Sequence, residues 1–145
     1  MEVLIEKVKD NNSYEITIRC REIPLSLIEV LNNLQKDTFL PGYTREGGVN
    51  HVSIKSILYF ETVDKKVFFY TDDQIFSSNQ KLYQLETLLI NDSFIRVSKQ
   101  AIVNLHKVKN ISSYNGARLL LTLINDEKIV VTRGFVSLLK ERLNL

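Results

Sequence analysis

Ser98, Lys99 and Gln100 stand side by side between the apolar runs 94–97 and 101–103. A hydroxyl, a cation and an amide thus share one short link between two anchored segments. Donors of different reach on such a link suit phosphate oxygens and base edges, and they also fit an ordinary polar loop. Arg133 follows Thr132, where an apolar run ends and a helical pattern begins. A guanidinium at such a junction can pair bidentately with guanine O6 and N7 or clamp a phosphate. Lys65 and Lys66 lie at the tip of a hairpin pattern, and Lys107 and Lys109 lie beyond Asn104. Each of these is singly an ordinary solvated cation. Their shared character is that all sit on short connectors.

Other chemistries find little support. His51 and His106 are far apart, with neither a cysteine partner nor a second histidine at i+4, so no zinc site or other metal site is expected. Gly47-Gly48 is a lone pair and no glycine-rich phosphate cradle follows a strand. Ser98 beside Lys99 resembles a nucleophile with its base, but neighbours on an extended backbone point to opposite sides. Glu61 and Asp64 are better read as a strand residue and a hairpin tip than as paired carboxylates. No cofactor and no enzymatic activity are expected.

The elements that position these residues follow from hydrophobic periodicity. Residues 3–8 form a short strand pattern ending in the turn formers Asp10-Asn11-Asn12-Ser13. Residues 14–21 alternate as a half-buried strand whose apolar face (Tyr14, Ile16, Ile18) includes Cys20, a lone cysteine expected to be a buried small hydrophobe. Pro24 opens a helix with Leu25, Ile28, Leu31 and Leu34 at helical spacing. This β-β-α unit is thin for a free-standing core. Pro41-Gly42 and Gly47-Gly48 predict a connector, which places the boundary between an extension at residues 1–44 and a main domain at 45–145. Beyond it, residues 57–63 and 67–71 flank the charged tip 64–66 as a hairpin. A turn at Asp72-Asp73 precedes Ile75-Phe76. Ser78 or Asn79 then caps a short helix with Leu82, Leu85, Leu88 and Leu89 on one face. Residues 108–114, 117–123 and 128–132 read as three strands joined by Asn115-Gly116 and Asn125-Asp126. A last helix begins at Gly134 with Phe135, Leu138, Leu139 and Leu143 on one face. The predicted class is mostly β with α, or α+β.

The chain of 145 residues, 44% hydrophobic and 25% charged, has a globular composition and the length to bury a core. No run approaches the roughly 20 apolar residues that span a bilayer, and the first residues lack the order of a signal peptide, so a soluble cytoplasmic protein is expected. Net charge is +2, distributed unevenly: through Thr44 five bases face seven acids, while the remainder has fourteen bases against ten acids. An acidic front joined to a basic back suits a module whose second part meets a polyanion.

Four motifs in order connect this pattern to a known family. Ile57-Leu58-Tyr59-Phe60-Glu61, Leu82-Tyr83-Gln84-Leu85-Glu86, the long run from Phe94-Ile95-Arg96-Val97-Ser98-Lys99-Gln100 to Ala101-Ile102-Val103-Asn104-Leu105, and Val131-Thr132-Arg133 resemble the signatures of the LytTR family. That family is the DNA-binding output domain of bacterial regulators of the LytR/AlgR type. The resemblance runs from about Val49 to the C-terminus.

The resemblance implies a domain of small antiparallel sheets with short helices. It implies a sequence-specific transcriptional regulator that inserts loops, rather than a recognition helix, into the major groove of promoter DNA, usually as two protomers on a repeated site. Base-contacting positions carry over onto residues 65–67, the Ser98-Lys99 step and Arg133. Gln100 stands where the family usually has Ser, and Val67 cannot donate, so target sequence does not transfer. The DNA-contacting set expected on these grounds is Lys65, Lys66, Ser98, Lys99, Gln100, Lys107 and Arg133. The front segment looks like the short β-β-α extension of stand-alone LytTR proteins and is expected to drive homodimerisation. By the same resemblance, a small membrane regulatory protein encoded nearby is a further expected partner. A non-catalytic protein-interaction or ligand-binding β domain that has lost DNA binding is the alternative.

Overall fold

The computed structural model describes residues 19, 21–35, 38–90 and 92–145. Two compact units, residues 1–37 and 38–145, make up the chain. In the first, helix α1 runs Leu25–Gln35. The carbonyl of Pro24 accepts from Leu27 N (3.0 Å) and Ile28 N (3.3 Å), so the proline sits at the helix start, where its missing N–H costs nothing. The hairpin expected from residues 3–8 and 14–21, with Cys20, falls outside the described residues except for Arg19 and Arg21, as do the side chains of Leu31 and Leu34.

The second unit contains β1 (Phe39–Tyr43), β2 (Val49–Ser53), β3 (Tyr59–Val63), β4 (Lys66–Tyr70), β5 (Ile75–Ser78), α2 (Leu82–Leu88), β6 (Phe94–Arg96), β7 (Ala101–Asn104), β8 (Val108–Tyr114), β9 (Arg118–Leu123), β10 (Lys128–Val131) and α3 (Arg133–Leu143). The strands form a seven-stranded sheet ordered β2-β1-β5-β4-β3-β7-β6 and a three-stranded sheet ordered β10-β9-β8. Every pairing is antiparallel. This is the expected α+β class.

Strand alternation sorts the side chains into two cores, one on each face of the larger sheet. Phe60, Phe69 and Phe76 are register partners on β3, β4 and β5. Their rings meet at centroid distances of 5.4 Å, and Phe94 packs edge-on to Phe60 at 5.7 Å. With Val67, Ile102 and the α2-side residues Leu82, Leu85 and Leu89 they make the first core. The opposite faces of β6 and β7 present Ile95, Val97, Ala101 and Val103 to Leu121, Leu123 and Val131 of the smaller sheet and to Leu139 of α3. Because β6 and β7 contribute to both cores, the loop between them is anchored from both sides.

Four local readings are corrected by the structure. Pro41-Gly42 is not a connector but the middle of β1, paired with Asn50 and His51 of β2. Strand β5 meets β1 only at Tyr43, so no neighbour demands an N–H from Pro41 on that side. Gly42 is required for space: a Cβ there would lie 2.7 Å from the Phe76 ring and 3.0 Å from Phe69. Helix α2 starts at Leu82, later than a Ser78 or Asn79 cap would place it, with Gln84 Oε1 accepting from Lys81 N at 2.8 Å. Finally, Leu88 and Leu138 are 50% and 43% exposed, so each apolar helix stripe is narrower than its leucines suggest. The last helix begins one residue early, at Arg133.

Asn104, at the end of β7, is buried and fully engaged. Its Nδ2 donates to Ile57 O (2.9 Å), and its Oδ1 accepts from Ser93 Oγ (2.7 Å) and His106 N (3.1 Å). A side-chain amide supplies a donor and an acceptor on separate atoms, which is how one residue bonds to both sides here. It pins the end of β7 opposite the Ser98-Lys99-Gln100 link.

Candidate nucleic-acid interface

Two backbone hydrogen bonds gather connectors that are distant in sequence. Thr62 N, near the end of β3, donates to Gln100 O at 2.8 Å, and Thr132 N, immediately before α3, donates to Val97 O at 3.0 Å. The β3–β4 hairpin tip, the β6–β7 loop and the β10–α3 junction therefore stand in a row at one end of the two sheets. They carry Lys65, Lys66, Lys99, Gln100 and Arg133, all exposed.

In the middle loop, Val97 N donates to Ala101 O (3.0 Å), closing residues 98–100 into a tight turn. Arg96 fixes it from beneath: Nε donates to Ser98 O (2.7 Å), Nη2 to Lys99 O (2.6 Å) and Nη1 to Glu86 Oε2 of α2 (3.0 Å). Sequence reading missed this role, because the partners of Arg96 are mainly backbone carbonyls that only the turn brings within reach. Ser98, expected in the DNA-contacting set, sits differently from Lys99 and Gln100 beside it. It is buried, and its Oγ accepts from Gln100 N at 3.2 Å, so its hydroxyl holds the turn while Lys99 and Gln100 face outward.

The hairpin tip is a two-residue turn with φ of 50° at Asp64 and 65° at Lys65, the primed geometry that matches strand twist. Lysine in that region costs about 1 kcal/mol relative to glycine, so the tip keeps a cation at some expense of stability. Lys66 Nζ lies 5.6 Å from the centroid of the Phe68 ring. Val67 is buried in the first core and is unavailable to a ligand.

Arg133 opens α3 and donates through Nε to the carbonyl of Gly116, in the β8–β9 turn. In the same turn Arg118 donates from Nε to Asn115 O (2.6 Å) and lies over the Tyr114 ring at 5.0 Å. Arg118, Thr132, Arg133 and Gly134 line one open hollow. Arg118 was not singled out from sequence, although its place just past an Asn-Gly turn was a signal. Lys107 is not brought to this group. Its carbonyl accepts from Ile124 N at the β9–β10 loop, a strand length of about 20 Å from the β8–β9 turn.

That far end has a different character. Burial, reinforced by a hydrogen bond to Glu127, raises the Tyr59 phenol far above its usual range. Tyr70 is raised by burial and by Glu61, whose Oε2 accepts from its hydroxyl at 3.2 Å. The two rings stack at 4.4 Å. Both phenols stay neutral donors at physiological pH and serve as ties. Asp126 is held below the usual carboxylate range by the hydrogen bond from Lys109.

The family model for the LytTr DNA-binding domain matches residues 47–144. The chain belongs to the LytTR family. Two relatives described as uncharacterized HTH-type transcriptional regulators, from Staphylococcus aureus strains MRSA252 and NCTC 8325, are each 28% identical over 120 residues, which is 83% of this chain and 80% of theirs. The solved LytTr DNA-binding domain of a Bacillus cereus protein superposes with a TM-score of 0.71 at 26% identity, covering 76% of this chain and 100% of that one. This LytTR chain is a DNA-binding transcriptional regulator, and double-stranded DNA is its partner. Among the described residues no helix is long and apolar enough to cross a membrane.

Replacing Arg96 removes charge-assisted bonds to two carbonyls, whereas replacing Glu86 removes only a partly exposed ion pair. Arg96→Ala is expected to lower unfolding free energy by about 2 kcal/mol and Glu86→Ala by less than about 1 kcal/mol, measured by urea denaturation. Equal losses would show that the carbonyl bonds contribute nothing to stability.

Proposed function

We propose that this regulator meets duplex DNA with the end of the molecule that carries the stitched loops. Arg133 reads a guanine edge in the major groove, Lys99 and Gln100 reach neighbouring base edges, and Lys65 and Lys66 hold the phosphate backbone. The observation that carries this reading is the pair of backbone bonds, Thr62 to Gln100 and Thr132 to Val97. Loops read bases only if they are held as firmly as a recognition helix would be, and these loops are held by main chain. A further support is that, among the described residues, no two helices follow one another, so no helix-turn-helix is formed there. Ser98 acts in this scheme through the shape of its turn. Lys107, at the far end, has a place only where DNA bends far enough to bring a flanking phosphate to it.

The reading takes the chain to be non-catalytic and, because its ligand is genomic DNA, cytoplasmic. Ser98 and Lys99 do not form a nucleophile and base: one is buried in its turn while the other is exposed. It also takes the front segment as a homodimerisation element that presents two loop ends to a repeated site. Leu25, Ile28 and Val30 of α1 are 79%, 40% and 54% exposed, apolar area that association would cover.

Fluorescence anisotropy over a salt series, with a duplex from the protein's own upstream region beside a scrambled one, tests the DNA reading. Arg133→Ala is expected to lose roughly 1–3 kcal/mol of preference for the native duplex, and log K of the wild type is expected to fall steeply with log salt. A folded protein that binds no genomic promoter fragment at low salt would favour the interaction-module alternative. For the dimer, light scattering of the full chain at micromolar concentration is expected to give twice the monomer mass and Ile28→Glu the monomer mass. A wild-type monomer would remove the dimer from the scheme.

A further inference from the structure

The β8–β9 turn does no obvious work for the fold, yet it touches the side chain on which the proposed base reading depends. Gly116 has φ of +72°, and its carbonyl accepts from Arg133 Nε. A Cβ on Gly116 would lie 2.4 Å from Arg133 Nη2 and 3.4 Å from its Cζ, so the guanidinium packs its Nη2 side against the bare glycine. An arginine fork offers a side edge, Nε with Nη2, and an end edge, Nη1 with Nη2. Holding Nε on a carbonyl occupies the side edge. The end edge donates to no described residue and offers a pair of donors that matches guanine O6 and N7.

We propose that Gly116 is a specificity-determining positioning residue: its carbonyl and its missing side chain aim the Arg133 guanidinium end-on at the DNA. This rests on the reading of Arg133 as a base contact and adds how its side chain is pre-ordered. Five donors on a flexible stem otherwise lose rotamer freedom on binding. A carbonyl tether removes that freedom before DNA arrives. The tether is held in turn by its own strand pair, since Tyr114 and Arg118 are register partners across the turn, and by Arg118, which donates to Asn115 O at 2.6 Å. The clash a Cβ creates is with the far end of a flexible side chain and with no backbone atom. At φ of +72° a side chain also carries left-handed strain, which is least for asparagine, so Gly116→Asn is the substitution that spares the fold most while disturbing the aim.

The test uses Gly116→Asn, because asparagine adopts the left-handed region readily, with Gly116→Ala beside it and thermal melting of each as the folding control. Native and scrambled duplexes are titrated with wild type, Gly116→Asn, Arg133→Ala and the double variant. Arg133→Ala is expected to lose roughly 5- to 150-fold of the native-over-scrambled ratio. Gly116→Asn is expected to lose at least about five-fold while keeping its melting temperature and its affinity for the scrambled duplex. In the Arg133→Ala background it is expected to change the ratio by less than two-fold, since a residue acting through Arg133 has nothing left to aim. If Arg133→Ala costs the ratio and a folded Gly116→Asn does not, the aiming role is refuted while the base contact stands. If Arg133→Ala leaves the ratio unchanged, both fall. Equal losses from Gly116→Asn with and without Arg133 would overturn the proposal by showing that the turn acts on DNA independently.

Discussion

The β6–β7 loop is the constraint on which the rest depends. Its two ends are buried strands that serve both cores, Val97 and Ala101 on one side and Ile102 on the other. Its backbone accepts hydrogen bonds from β3 at Gln100 and from the β10–α3 junction at Val97. A loop free to move would lose several kcal/mol of conformational entropy on ordering, and that cost would come directly out of binding. Here the ordering is done during folding. Burial of the aromatic row and the leucines around α2 supplies the stabilisation, and Arg96 carries it to the carbonyls of the loop.

The same arrangement separates the two ends of the domain. At the loop end, Lys65, Lys66, Lys99, Arg118 and Arg133 lie on or beside short connectors, where Asp64 at the hairpin tip and Glu86, paired with Arg96, oppose them in part. At the other end, Glu127 is engaged by the Tyr59 phenol and Asp126 by Lys109, while Glu61, midway along β3, accepts from the Tyr70 hydroxyl. The net charge of +2 says little about a polyanion, whereas its distribution along the strands gives one end a field that attracts phosphate.

Most of the fold was legible because it is written locally. The alternation of Phe60 and Phe69, the Asp64-Lys65 tip and the Asn115-Gly116 turn each carry their own signal within a few residues. The failures share a cause. Pro41-Gly42 reads as a break in any local window, and only the Phe76 ring against Gly42 explains a glycine inside a strand. Leu88 and Leu138 continue apolar spacings that the cores do not use. The candidate cations were legible as residues on connectors, but their grouping was not, since it depends on backbone bonds between segments 35 and 38 residues apart, Val97 with Thr132 and Thr62 with Gln100. For the same reason the turn-holding roles of Ser98 and Arg96 were not legible, since their partners are backbone groups that only the turn brings within reach.

The most direct test of one shared DNA face is a two-dimensional amide NMR titration of the full chain with a duplex selected from its own genome. The account predicts that perturbations concentrate at residues 64–66, 98–100, 115–118 and 132–134, with α2 and residues 105–107 and 125–127 unmoved. Perturbations centred on α2, or on the exposed strand β2, with the three loops unchanged, would contradict it.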